Sequence, residues 1–348
     1  MALGDLGADV IKIERPGSGD DSRGWGPPFD ERGESAYFLS INRNKWSVAA
    51  DLDRAGDVQL ITSLAADADV VVENFRPGML EKRGIGASVL LGRHPRLLWA
   101  TITGFGDEST RIGYDFVVQA EQGWMAITGE PGGPPLKVGV ALADVIAGKD
   151  AVIAILALLA ARARGPMALL DRRVTISLAH SATAALVNVA QNVLVSGDDA
   201  GRWGNAHPNL VPYQLFDAAD RPLALAVGTD AQWRACSLAL GLHELADDPS
   251  LATNAGRVAR REHVVSHLTS RFRERPAAEW MTVLSAAEVP AGLVRSVREA
   301  LGSVAASPAT GVAPSLPGTV RSPPPRLDEH GTAVRELGWS AFSRARGA

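Results

Sequence analysis

Asp144 is the side chain of this sequence with the most chemistry open to it. It is the lone carboxylate of the apolar run VALADVIAG, whose other residues are too apolar for a solvated face. The spacing predicts an apolar helix with Tyr114 and Asp115 near its start, then a turn-rich bend through Gly129, Pro131, Gly132, Gly133, Pro134 and Pro135. A short strand follows at about Lys137–Val140, and Asp144 opens a long apolar helix to about Ala163. A carboxylate at that point meets unpaired N–H groups and the positive end of the helix dipole. The same groups would stabilise negative charge on a reacting partner. Two roles fit, an N-cap with no chemistry and a catalytic carboxylate, and position before a helix favours the cap when taken alone.

The elements that must hold this side chain belong to a chain of 348 residues, long enough for a substantial core and two domains. Its 35 basic and 39 acidic residues give a net charge of −4, and no basic stripe dominates, which argues against a nucleic-acid binder. One cysteine, Cys236, excludes an intramolecular disulfide and any multi-cysteine metal site, and fits a reducing cytoplasm. Asp144, Lys149 and Asp150 interrupt the long apolar stretch Val138–Ala161, so it reads as a buried helix and not a membrane span. No secretory signal pattern opens the chain. No GxGxxG or Walker sequence is present, so nothing points to NAD or ATP.

Read in order, MALGDLGA is the tail of a helix closed by glycine, and Asp9–Glu14 is an alternating strand. Arg15–Gly33 is a Gly/Pro/Asp-rich surface connection, and Asn42–Leu52 a turn into a strand. A helix over about Ala55–Ala66 precedes the strand Asp69–Glu73, whose apolar centre suits an inner strand of a parallel sheet. The turn NFRPGMLEKRGIG, a helix near Ala87–His94, the strand Arg96–Gly104, the strand Arg172–Leu178 and a helix over Ala179–Val195 complete a doubly wound α/β domain. The domains are therefore expected at 1–195 (large), 196–212 (linker), 213–300 (small, α+β) and 301–348, a return segment packing on the large domain.

The stretch YDFVVQAEQGWMAITGEPGGPPLKVGVALADVIAGKDAVIAILALLAAR, together with GDLGADVIKIERPGSGD and NFRPG, resembles family III CoA-transferases, the CaiB/BaiF group that also contains α-methylacyl-CoA racemases. The resemblance covers nearly the whole chain. It implies that Asp144 is the nucleophile, that Asp115 assists it, and that Arg15 and the segment Ala50, Asp51, Leu52 and Asp53 line the adenosine part of CoA. It also carries over Asn74, Phe75, Arg76 and Lys82 to the pantetheine and phosphates, with Gly113 and Tyr114 beside them. Arginine is usual at the Lys82 position; lysine keeps the charge and loses the bidentate fork. Both ends depart from the family. A first strand, a loop and most of a helix are expected ahead of Met1, the segment Ala306–Arg326 is shortened, and Asp328 stands where glycine is usual.

The implied reaction moves CoA from an acyl-CoA donor to a carboxylic acid through an aspartyl anhydride and an aspartyl-CoA thioester, with CoA as substrate and no permanently bound cofactor or metal. Glycines near Asp144, among them Gly139 and Gly148, allow close backbone approach. The implied assembly is an interlocked homodimer. Racemization is the competing chemistry; it needs a histidine–aspartate pair, and Gly113-Tyr114-Asp115 places tyrosine, a poor base at neutral pH, where that histidine would stand. A truncated, non-catalytic relative is the third reading. His207, before Pro208 in the linker, is read as structural.

Overall fold

The computed structural model describes residues 1–347. Two compact units divide the chain: Met1–Trp124, Lys137–Val195 and the residues from Leu301 onward form one, and Met125–Leu136 with Ser196–Ala300 form the other.

The first unit is mixed α/β with parallel strands. A single helical turn, α1 (Ala2–Asp5), leads to β1 (Ile11–Glu14); α2 (Ala36–Ile41) leads to β2 (Trp46–Ala49); α3 (Ala55–Asp67) leads to β3 (Val70–Glu73). Then come α4 (Ala87–Arg93), β4 (Leu98–Thr103), α5 (Asp115–Glu121), the short α6 (Trp124–Ile127), which belongs to the second unit from Met125 on, α7 (Leu142–Arg164), β5 (Arg173–Ser177), α8 (Leu178–Ala184) and α9 (Asn188–Ser196). The parallel strands fall into two sets, β1–β2 and β3–β4–β5, with Val71 opposite Trp99 and Trp99 opposite Arg173. The buried inner strand is β4, where Leu98, Trp99 and Ala100 are at most 2 % exposed. The apolar run of β3 was expected to be that strand; it lies at the edge of its set, with Val72 half exposed.

Three further expectations are corrected. Lys137–Val140 forms no strand, because the backbone of Val138 and Val140 bonds to the side chain of Gln119 and not to a neighbouring strand. The helix expected over Ala179–Val195 is two helices bent by 72°, with Val187 between them at a φ of 43°. Arg15–Gly33 is more than a surface connection. Glu14, 4 % exposed, accepts from Arg23 Nε and Nη2 at 2.9 Å each and from Ser47 Oγ at 2.6 Å, and Arg23 also pairs with Glu34 and lies over the Phe38 ring. A buried charge is tolerated when paired in this way. The network ties the loop to β1, β2 and, through Pro325 C=O, the C-terminal segment.

The second unit has an antiparallel sheet of β6 (Tyr213–Asp217), β7 (Pro222–Ala226) and β8 (Ala291–Leu293) covered by helices. Its core gathers Leu223, Trp233, Leu268, Phe272 and Trp280, each at most 1 % exposed, with Cys236 fully buried among them. His207 stays within this unit: its Nδ1 accepts the Asn209 N–H and its ring meets Tyr213. Among the described residues no single helix is long and apolar enough to cross a membrane.

Candidate active site

Helix α7 begins at Leu142, two residues earlier than expected, so Asp144 occupies its first turn and not its cap. The cap residue, Ala141, makes no side-chain cap bond. The cap comes instead from another element. Asp115, the first residue of α5, accepts the Ala143 N–H on Oδ1 at 2.8 Å. Its Oδ2 accepts from Gln119 Nε2 at 2.7 Å, one helical turn further along α5. Gln119 is wholly buried; its Oε1 accepts the Val138 N–H at 2.8 Å and its Nε2 reaches Val140 C=O at 3.3 Å. Two side chains of α5 therefore hold the segment that enters α7, and Ala143, Ala147, Ala151 and Ile155 bury the inner face of that helix at the spacing of one turn.

With the cap supplied by Asp115, the Asp144 carboxylate has no hydrogen-bond or ion-pair partner among the described residues. Burial, and after it the like charge of Asp115, push its pKa up to about 6. The residue is exposed as a whole, so solvent tempers the burial effect, while repulsion from Asp115 acts in the same direction. Such a carboxylate is mostly ionised at neutral pH and more basic than an ordinary aspartate. Gly148 lies one turn beyond it on α7, and a Cβ there would meet nothing within 4 Å, so space is open beside the carboxylate. The same is true at Gly139.

Tyr37, which no sequence motif singles out, belongs to this neighbourhood. Burial, then the charges of Asp144 and Asp115, raise its hydroxyl pKa. It is 41 % exposed, and Trp25, 47 % exposed, meets it edge-on at 5.0 Å between ring centroids. An aromatic in a short helix after a loop carries no spacing signal; only the fold brings it near Asp144.

Gly113 has a packing reason of its own. A Cβ on it would stand 2.4 Å from the Gly104 Cα, so the loop after β4 closes backbone against backbone immediately before Tyr114. Tyr114 is the N-cap position of α5 and 60 % exposed.

The residues expected around CoA lie in two places. Arg15 follows β1 and pairs with Asp21. After β2, Ala50 is buried and donates its N–H to Glu14 C=O at 2.9 Å; Asp51 donates its N–H to Asp57 Oδ2 at 2.9 Å and accepts the Asp53 N–H at 3.0 Å; Leu52 packs on the core of α3 and α4. Asp53 pairs with Arg83 at 2.7 Å. At the carboxyl end of β3, Phe75 and Arg76 line a cavity of about 290 Å³ with Glu73, Thr101, Asp107 and Arg173. Asn74 and Lys82 do not line it; both are exposed, Lys82 in a single 3₁₀ turn whose neighbour Arg83 turns to Asp53. Arg173 is the cation that sequence reading missed. It opens β5 and faces Asp107 at 3.5 Å, and nothing in RRVTISL distinguishes it from a strand-edge arginine.

The sequence profile described as CoA-transferase family III matches residues 1–314. The succinyl-CoA:glutarate CoA-transferase of Mus musculus is 41 % identical over 302 residues, covering 86 % of this chain and 68 % of that protein. The succinate–glutarate CoA-transferase of Agrobacterium fabrum is 40 % identical, covering 85 % and 76 %. Among solved structures, a CaiB/BaiF family protein from Brucella suis is similar at a TM-score of 0.81 and 39 % identity, covering 96 % of this chain and 93 % of that one.

Proposed function

This chain belongs to CoA-transferase family III, and from that premise we propose that it moves CoA between an acyl-CoA and a carboxylic acid through covalent intermediates on Asp144. The observation that carries the proposal is the division of labour at the start of α7: Asp115 takes the capping bond and leaves the Asp144 carboxylate without a partner.

An Asp144 oxygen attacks the thioester carbonyl of the donor, the C–S bond breaks, and a mixed anhydride forms with release of CoA thiolate. The thiolate attacks the aspartyl carbonyl of that anhydride, expelling the donor acid and leaving aspartyl-CoA. The acceptor carboxylate attacks this thioester, giving a second anhydride and thiolate again. Attack of the thiolate on the acceptor acyl carbonyl then yields the new acyl-CoA and restores Asp144. Protons balance throughout, and the exchange calls on no metal or redox cofactor. The Ala143 N–H is taken by Asp115, so the Tyr37 hydroxyl, in the field of Asp144, is the side-chain donor offered to the developing oxyanions. The Arg76 and Arg173 cavity and the turn Ala50–Asp53 are offered to the phosphates and adenosine. Names of the relatives point to succinyl-CoA as donor and a glutarate-type dicarboxylate as acceptor.

A homodimer belongs to the same proposal. Phe116 on α5, Ile153 on α7, and Leu194 and Val195 on α9 are each more than 60 % exposed, and large apolar side chains on several helices suit burial against a second copy. We place the reaction in the cytoplasm on the lone, buried cysteine.

Incubation with succinyl-CoA followed by hydroxylamine tests the chemistry. A hydroxamate on the Asp144 peptide, seen by mass spectrometry, is expected; unmodified Asp144 alongside active turnover would overturn the covalent route.

A further inference from the structure

Past residue 314, where the family match ends, the chain folds back onto β2. Asp328, at a φ of 58°, accepts the Ala49 N–H on Oδ1 at 2.7 Å, and the His330 ring stacks on Trp46 with centroids 4.4 Å apart. From the helix Gly331–Leu337, Arg335 reaches two acceptors: Nη2 donates to Ala49 C=O at 2.6 Å and Nη1 to Asp57 Oδ1 at 2.7 Å. The other Asp57 oxygen accepts the Asp51 N–H. Ala49 ends β2 and Asp57 lies in the first turn of α3, so Arg335 bridges the two ends of the turn Ala50–Asp53.

We propose that Arg335 is a positioning residue for the nucleotide end of acyl-CoA, holding the Ala50–Asp53 turn in shape through Ala49 and Asp57. The proposal rests on the reading that this turn receives adenosine. Asp57 has one oxygen for the turn and one for the clamp. Without Arg335 the Asp57 carboxylate loses its ion-pair partner, Arg54 acting on it only through its charge, and the Asp51 amide loses a fixed acceptor. A fork that satisfies a carbonyl and a carboxylate at once is a task for arginine; a lysine ammonium serves one of the two well. The residue touches neither Asp144 nor Asp115, so the effect falls on nucleotide binding and not on acyl transfer.

The test compares CoA with pantetheine, which lacks the nucleotide. In Arg335→Ala the Kd of CoA by calorimetry, and the KM of succinyl-CoA, rise roughly fivefold, the worth of a partly exposed charged pair, while kcat stays within about twofold. Pantetheine affinity is unchanged, and Arg335→Lys recovers part of the loss. Hydrogen exchange of the amides at 50–53 gives a second readout: CoA slows it in the unsubstituted protein and slows it less in Arg335→Ala. An equal loss for CoA and pantetheine, or no change in CoA affinity and exchange, overturns the proposal. If CoA gives the unsubstituted protein no protection at 50–53, the reading beneath it fails instead.

Discussion

The Asp115 carboxylate accepts the backbone N–H of Ala143 at 2.8 Å, so the residue that caps α7 comes from the start of α5 and stands next to Asp144 in space. One carboxylate holds the helix end and its neighbour is left free. Replacing each should give opposite signatures. Asp144→Asn keeps shape and removes the proposed nucleophile, so turnover should fall by about 10³-fold or more while CoA affinity is retained. Retained turnover in Asp144→Asn would remove it from the catalytic role.

Asp115→Asn keeps an oxygen for the Ala143 N–H and removes the charge that helps to raise the Asp144 pKa. In the proposed route Asp144 attacks in its ionised form, so kcat/KM should fall on the acid side near about 6 in the unsubstituted enzyme. In Asp115→Asn that limb should move to lower pH. A pH–rate profile checks both the position and the direction of the shift, with Tyr37 the other titratable group facing the pair.

The same shift bears on stability. Asp144 has a folded-state pKa raised from 3.8 to about 6, so its protonated form is favoured by folding; that contribution is present below 3.8 and is lost as pH rises through about 6. Asp144→Asn, which cannot ionise, should therefore melt higher than the unsubstituted protein at pH 7 to 8. The advantage should shrink as pH falls from 6 towards 4. Melting curves across that range measure the difference, and a constant offset would contradict it.

Much of this was legible in the sequence because local periodicity decides it. The alternation of VIKIE gives β1, the apolar centre of RLLWATITG gives β4, and the α7 core face follows from residues one turn apart. Other features depend on contacts between distant residues. The capping of α7 needs Asp115, the loss of a strand at Val138–Val140 needs Gln119, and the role of Arg335 needs Asp57; no local pattern announces any of them. The break at Val187 has no Gly or Pro to mark it. In NFRPG the motif gathers Phe75 and Arg76 at one cavity, but the cation beside them is Arg173 from another strand and not Lys82.

Gln119 should matter to activity out of proportion to its distance from the reacting atoms. In Gln119→Leu the Val138 N–H and Asp115 Oδ2 lose their hydrogen bonds to the amide, at about 1–3 kcal/mol for a buried group left unpaired. The melting temperature should drop, and kcat should fall about tenfold as the entry to α7 loosens, with a smaller change in KM. Gln119→Glu still offers the Val138 N–H an acceptor but donates to Asp115 only while it stays protonated, so it should lose activity more steeply as pH rises. Equal kinetics in both variants at every pH would reduce Gln119 to a packing residue.

The backbones of Gly104 and Gly113 touch where the loop after β4 returns to Tyr114. A methyl group at either position would sit 2.4 to 2.6 Å from the other's Cα, too close to accommodate without moving one strand of the loop. Overpacking of this kind costs about 1–3 kcal/mol. Gly113→Ala would also displace Tyr114 and Asp115, and with them the cap on α7, whereas Gly104→Ala pushes from the β4 side. Both should lower the melting temperature, and Gly113→Ala should lose more turnover per degree lost. If Gly113→Ala melts and turns over as the unsubstituted protein does, the close approach of the two glycines does not set the position of α5.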